Sequence, residues 1–183
     1  MQPLSEAEKI QGWMNTIELE WLREKALGVP RGGVSVALGV WRGRSVVAME
    51  VDQAFLVCVD HFQGSPGDPT VELAAREDIH GAFVANMDRL GIQSNLIVAD
   101  AIEAARLFQD DTINFLFMDC DDADFDRLFY AWFPKITPGG VFSGHDYSPE
   151  FPNIQETIKS SGFYHWGVGG TSIWVIYKDR VGY

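Results

Sequence analysis

The chain has 183 residues, 46% hydrophobic and 22% charged, a composition that supports a buried core and excludes wholesale disorder. Lys and Arg total 14 against 26 Asp and Glu, a net charge of −12, and a field of that sign repels phosphate backbones, so neither nucleic acid nor an anionic membrane is expected as a partner. The longest apolar run, Ala54–Val59, is too short to span a bilayer, residues 1–10 carry no signal-peptide core, and Cys58 and Cys120 form neither a CxxC nor a Cys/His cluster; one cytoplasmic domain over residues 1–183 is expected.

In chain order, Ser5 with Glu6 and Glu8 marks a helix start, and Ile10, Trp13, Met14, Ile17, Trp21 and Leu22 recur at helical spacing until Gly28–Pro30 stops the run. Residues 1–31 therefore read as an N-terminal helical extension. Val34–Val40 is a strand-type run, and a helix follows from about Gly43 to Asp52. Phe55–Val59 is a strand ending in Asp60, and a polar loop from His61 leads to one long helix over about Thr70–Leu90. Leu96–Ala99 ends in Asp100 and precedes a helix over Ile102–Phe108; Ile113–Met118 ends in Asp119 and precedes a helix over Phe125–Phe133. Pro138-Gly139-Gly140 turns into a fifth strand, Val141–Gly144, ending at His145-Asp146. Strands of continuous apolar character alternating with helices predict a parallel sheet covered on both faces. After a short helix near Ile154–Ser160, Tyr164–Val168 and Ser172–Tyr177 flank Gly169-Gly170-Thr171, a hairpin that brings the last strand in antiparallel. The expected fold is a three-layer α/β sandwich on a Rossmann-like, mostly parallel seven-stranded sheet.

Ligands of such sheets bind beyond the carboxyl ends of the strands, which puts weight on Gly39–Ser45, Asp60-His61, Asp100, Asp119–Asp122 and His145-Asp146. A carboxylate there is costly unless it is paired, hydrogen-bonded or metal-bound, and the alternative for each Asp is to cap the helix that follows. The loop Gly39-Val40-Trp41-Arg42-Gly43-Arg44-Ser45 is neither G-x-G-x-x-G nor a P-loop. With Asp60 about twenty residues on, where a carboxylate grips a ribose diol, it points to an adenosine-containing ligand. Arg42 and Arg44 are read as surface charge or as contacts for an anionic substrate.

The segments at 36–45, 58–62 (Cys-Val-Asp-His-Phe), 117–119 (Phe-Met-Asp) and 138–147 (Pro-Gly-Gly-Val-Phe-Ser-Gly-His-Asp-Tyr), with 172–178 at the end, resemble the class I S-adenosylmethionine-dependent methyltransferases, and within them the small branch related to macrocin and catechol O-methyltransferases. The resemblance implies that Gly39, Val40, Trp41, Gly43 and Ser45 pass under the methionine and ribose of the cofactor. It implies that Asp60 and His61 meet the ribose, that Asp100 and Ala101 lie against the adenine, and that Asp119 faces the sulfonium. It also implies a candidate Mg²⁺ site at Asp119 and Asp146, with Asp119, Asp122 and His145 as candidate catalytic groups and a small-molecule hydroxyl as acceptor. Two positions depart from the family pattern. Ala37 stands where an acidic residue usually helps hold the cofactor's amino-acid end, and Asp122 stands where members often carry His. These departures motivate an alternative, a non-catalytic S-adenosylmethionine-binding module; a nicotinamide-dependent oxidoreductase is a weaker one. With no large substrate-capping insertion, the site is either open or completed by the N-terminal helix or by a partner subunit in a homo-oligomer.

Overall fold

The structure, a computed structural model, describes residues 1–120 and 124–178; Asp122 and the role assigned to it lie outside the described residues. The strands are β1 (Val34–Leu38), β2 (Phe55–Asp60), β3 (Asn95–Val98), β4 (Ile113–Met118), β5 (Ile136–Gly144), β6 (His165–Gly167) and β7 (Trp174–Tyr177). The α-helices are α1 (Leu4–Glu8), α2 (Thr16–Leu27), α3 (Arg44–Met49), α4 (Thr70–Arg76), α5 (Ile79–Leu90), α6 (Ala101–Ala104), α7 (Phe125–Trp132) and α8 (Pro152–Ser160).

The strands form one sheet of order β3-β2-β1-β4-β5-β7-β6. The first five are parallel, and β7 runs antiparallel between β5 and β6. Apolar side chains alternate across it. On β4, Phe115 and Phe117 join the core beneath α1–α3 and α5, whereas Leu116 and Met118 join the core beneath α6–α8. Because both faces are covered, these strands are predominantly apolar, with Ser35 in β1 and Asn114 in β4 among the polar interruptions. The order reverses between β1 and β4, and that reversal opens a crevice at their carboxyl ends.

The expected three-layer fold is the observed one, with corrections at three element boundaries. The N-terminal run is two helices rather than one, because Asn15 starts a new helix. Its side chain accepts the Glu18 N–H at 3.1 Å, and the Glu18 carboxylate accepts the Asn15 N–H at 2.8 Å, a reciprocal capping box. The stretch over 70–90 is likewise split. Asp78 accepts the Gly81 N–H at 2.8 Å and begins α5, while α4 stops at Arg76. Pro138-Gly139-Gly140 lies inside β5 rather than before it, where the register against β4 shifts between Ile113 and Phe115. No helix among the described residues is long and apolar enough to cross a membrane.

Candidate functional site

A cavity of about 300 Å³ opens at the carboxyl ends of β1, β2, β4 and β5. The residue after β1, Gly39, has φ of +73°, and a Cβ there would stand 1.9 Å from the Asp119 carbonyl oxygen. Only glycine lets the ends of β1 and β4 come this close. The chain then turns through Trp41, itself left-handed at φ 48°, which aims the Trp41 N–H at Asp60 Oδ2, 2.7 Å away. The other oxygen of Asp60 accepts the Phe62 N–H at 2.6 Å. Two backbone donors thus fix this carboxylate on the cavity wall.

Opposite it, Asp119 from the end of β4 meets His145 and Asp146 from the end of β5, each offering a ligand atom within 4.8 Å of the others. His145 Nδ1 lies 3.1 Å from Asp146 Oδ1 and 3.7 Å from Asp119 Oδ1. Its Nε2 faces Glu18 Oε1 at 3.0 Å, so both ring nitrogens point at carboxylates. Burial alone would depress the imidazole, but Asp119, Asp146 and Glu18 outweigh it and hold His145 up at about 11. That makes it a fixed cation and not a base at neutral pH. Burial likewise pushes the Asp119 carboxyl up to about 6, against the pull of His145 and with the help of the Asp146, Glu18 and Asp60 charges. A carboxyl poised there is suited to proton transfer near neutrality.

Most of the residues singled out in the sequence come together here. Gly39, Val40, Trp41, Ser45, Asp60, His61, Ala101, Asp119, His145 and Asp146 all line the cavity. Gly43 and Asp100 do not. At φ of +95°, Gly43 leaves room for Met87, whose Cε would be 2.5 Å from an added Cβ. Asp100 caps α6, accepting the Ile102 and Glu103 N–H groups at 2.9 and 3.0 Å. Ala37 is buried in the core under α2 and α3 and faces no ligand space. Both arginines of the loop also line the cavity: Arg42 pairs with Glu77 at 2.5 Å, and Arg44 donates to the Ile10 carbonyl at 2.9 Å.

That last bond draws the link between α1 and α2 over the cavity, so that Gln11, Gly12, Trp13 and Met14 form part of its wall. Trp13 is 65% exposed, and its ring centroid lies 6.0 Å from that of Trp41. Reading one unbroken helix hid this wall, and Glu18 with it. The signal was present as Asn15-x-x-Glu18, a capping-box spacing.

Residues 36–147 match the methyltransferase-domain family. No curated protein matches the chain. Among solved structures, a Corynebacterium glutamicum protein shares the fold with a TM-score of 0.71 at 12% identity, over 96% of this chain and 88% of that one. The precorrin 8W decarboxylase of Methanobacterium thermoautotrophicum does so with a TM-score of 0.68 at 15% identity, over 97% and 99%. A SAM-dependent O-methyltransferase from Thermotoga maritima gives 0.67 at 14% identity, over 96% and 70%. The family match covers more than half of the sequence and includes the strand-end residues of the cavity, which leaves no ground for the nicotinamide reading: the chain belongs to the methyltransferase-domain family and is an S-adenosylmethionine-dependent methyltransferase.

Proposed function

We propose that the chain methylates a hydroxyl group of a small molecule, with Asp119 as the proton acceptor. The observation that carries this reading is the pairing of a pinned carboxylate, Asp60, with the Asp119–His145–Asp146 cluster across one small cavity. Asp60 is held in place at the cavity by two backbone N–H groups, and a fixed carboxylate is a natural acceptor for a ribose diol. Val40, Trp41 and Ser45, which line the cavity with His61 and Ala101, would flank the methionine end, His61 would sit beside the ribose and Ala101 would back the adenine, with Asp100 capping the helix that presents Ala101. The carboxylates of Asp60, Asp119 and Asp146 on the lining suit a sulfonium cation.

Asp119 removes the acceptor's proton while the acceptor oxygen displaces the methyl group from sulfur; the C–S electron pair returns to sulfur, leaving a methyl ether and S-adenosylhomocysteine. His145 balances the excess of negative charge. The donor set also fits Mg²⁺. Asp119 and Asp146 offer hard oxygens, and His145, whose Nδ1 faces both of them, would have to release its Nδ1 proton to join them. A bound Mg²⁺ would supply a lowered pKa to a coordinated acceptor hydroxyl.

Calorimetric titration with S-adenosylmethionine and S-adenosylhomocysteine, with and without Mg²⁺, tests the reading. Micromolar binding, with a Mg²⁺ response lost in Asp119→Asn and Asp146→Asn, is expected. Undiminished methyl transfer in Asp119→Asn, once an acceptor is found, would remove Asp119 from the chemistry.

A further inference from the structure

We propose that Glu18, carried by α2 outside the family-matched residues, is a positioning residue that holds the His145 ring and, through it, the Asp119–Asp146 pair. This inference rests on the proposed role of those two carboxylates.

The Glu18 side chain is only 5% exposed, and a carboxylate buried that deeply is costly unless its oxygens are satisfied. They are, by donors from three separate parts of the chain. Oε2 accepts the Asn15 N–H at 2.8 Å and completes the helix start. Oε1 accepts from His145 Nε2 at 3.0 Å and from the Ser172 N–H at 3.4 Å, just before β7. A capping box needs only the first of these, and a glutamate serving it alone can stay at the surface. The second oxygen is therefore committed to something other than starting the helix.

What it engages is the ring that faces the reaction site. With Nε2 fixed by Glu18, Nδ1 is aimed at Asp146 and Asp119. Ser172 closes the circle, since its hydroxyl accepts the Asp146 N–H at 3.2 Å while its own N–H bonds Glu18. Without Glu18, Nε2–H has no partner in a pocket where the His145 side chain is 14% exposed, and the ring is free to turn away from Asp146. Such outer partners orient the groups that touch a ligand, and their loss typically costs about tenfold to a hundredfold in affinity. The N-terminal segment thus completes the site rather than merely covering the sheet.

The test compares Glu18→Ala, Glu18→Gln and Asn15→Ala by thermal melting, by calorimetric titration with Mn²⁺, and by the imidazole N–H proton resonances of His145. Both Ala variants should melt earlier, because both break the capping box. Only Glu18→Ala should lose the Nδ1 proton resonance facing Asp146 and weaken Mn²⁺ binding about tenfold to a hundredfold. Glu18→Gln, which keeps an amide oxygen for Nε2, should recover most of both. An Nδ1 resonance unchanged in Glu18→Ala would overturn the proposal and leave Glu18 as a helix cap. Absence of Mn²⁺ binding by the unaltered protein would overturn the metal role of Asp119 and Asp146 instead, and the Nδ1 resonance would still decide the part played by Glu18.

Discussion

Replacing Gly39 with Ala isolates the close approach of β1 and β4 on which the cavity depends. The new methyl group would lie 1.9 Å from the Asp119 carbonyl oxygen and 2.7 Å from its carbonyl carbon, against an ordinary contact of about 3.5 Å. Relief requires the two strand ends to part by more than an ångström. The bonds at risk are Asp119 N–H to the Leu38 carbonyl and Gly39 N–H to the Val59 carbonyl, both 2.9 Å. Two such bonds contribute about 1 kcal/mol each, and alanine at a left-handed φ costs roughly 1–2 kcal/mol more, so the loss should reach about 3–4 kcal/mol. Gly32→Ala is the control: its φ is +79°, with nothing within 4 Å of an added Cβ, so only the backbone strain of roughly 1–2 kcal/mol applies. Urea denaturation of both variants gives the comparison, and calorimetry should show weakened S-adenosylmethionine binding only in Gly39→Ala. Equal destabilisation by the two substitutions would refute the reasoning, because it would mean that the strand ends yield at no cost.

Asp60→Asn should weaken S-adenosylmethionine binding roughly tenfold to a hundredfold, the cost of losing charge-assisted hydrogen bonds; an unchanged Kd would take Asp60 out of the cofactor site. The folded-state pKa of Asp119 is raised from 3.8 to about 6, so its contribution to stability is fully present below pH 3.8 and lost as pH rises through about 6. Urea midpoints of the metal-free protein should show that fall, and Asp119→Asn should not. His145 is raised from 6.5 to about 11, so its contribution is complete below pH 6.5 and lost as pH rises through about 11. His145→Gln should therefore flatten the alkaline limb of the same curve; an unaltered limb would contradict the three-carboxylate cradle. Trp132→Phe deletes the donor bonded at 3.0 Å to the buried Ala101 carbonyl and should cost about 1–3 kcal/mol in the same assay.

The sheet was legible because burial on both faces leaves an unmistakable apolar run, and the strand-end residues Asp60, Asp119, His145 and Asp146 followed from topology alone. Periodicity failed where a cap interrupts it. Trp13 and Ile17 keep helical spacing across Asn15, and nothing in an apolar pattern registers that Asn15 and Glu18 satisfy each other's backbone. Asp78 divided the stretch over 70–90 in the same way. Strand-end position could not separate Asp100, which caps a helix, from Asp60, because the difference lies in which backbone N–H groups each carboxylate meets and which of the two lines the cavity. The partnership of Glu18 with His145 spans 127 positions, and only tertiary folding creates it.

The paired indoles at the rim have an optical consequence. Of six tryptophans, Trp132 and Trp174 are fully enclosed, and their emission should be blue-shifted and indifferent to solutes. Trp13 is bathed in solvent, and beside it Trp41 forms part of the cavity wall. Any molecule that settles in the cavity changes the polarity around that pair while leaving the enclosed indoles as an internal reference. The protein therefore carries its own gauge of occupancy, and unlabelled compounds can be screened as acceptors by the colour and intensity of its fluorescence.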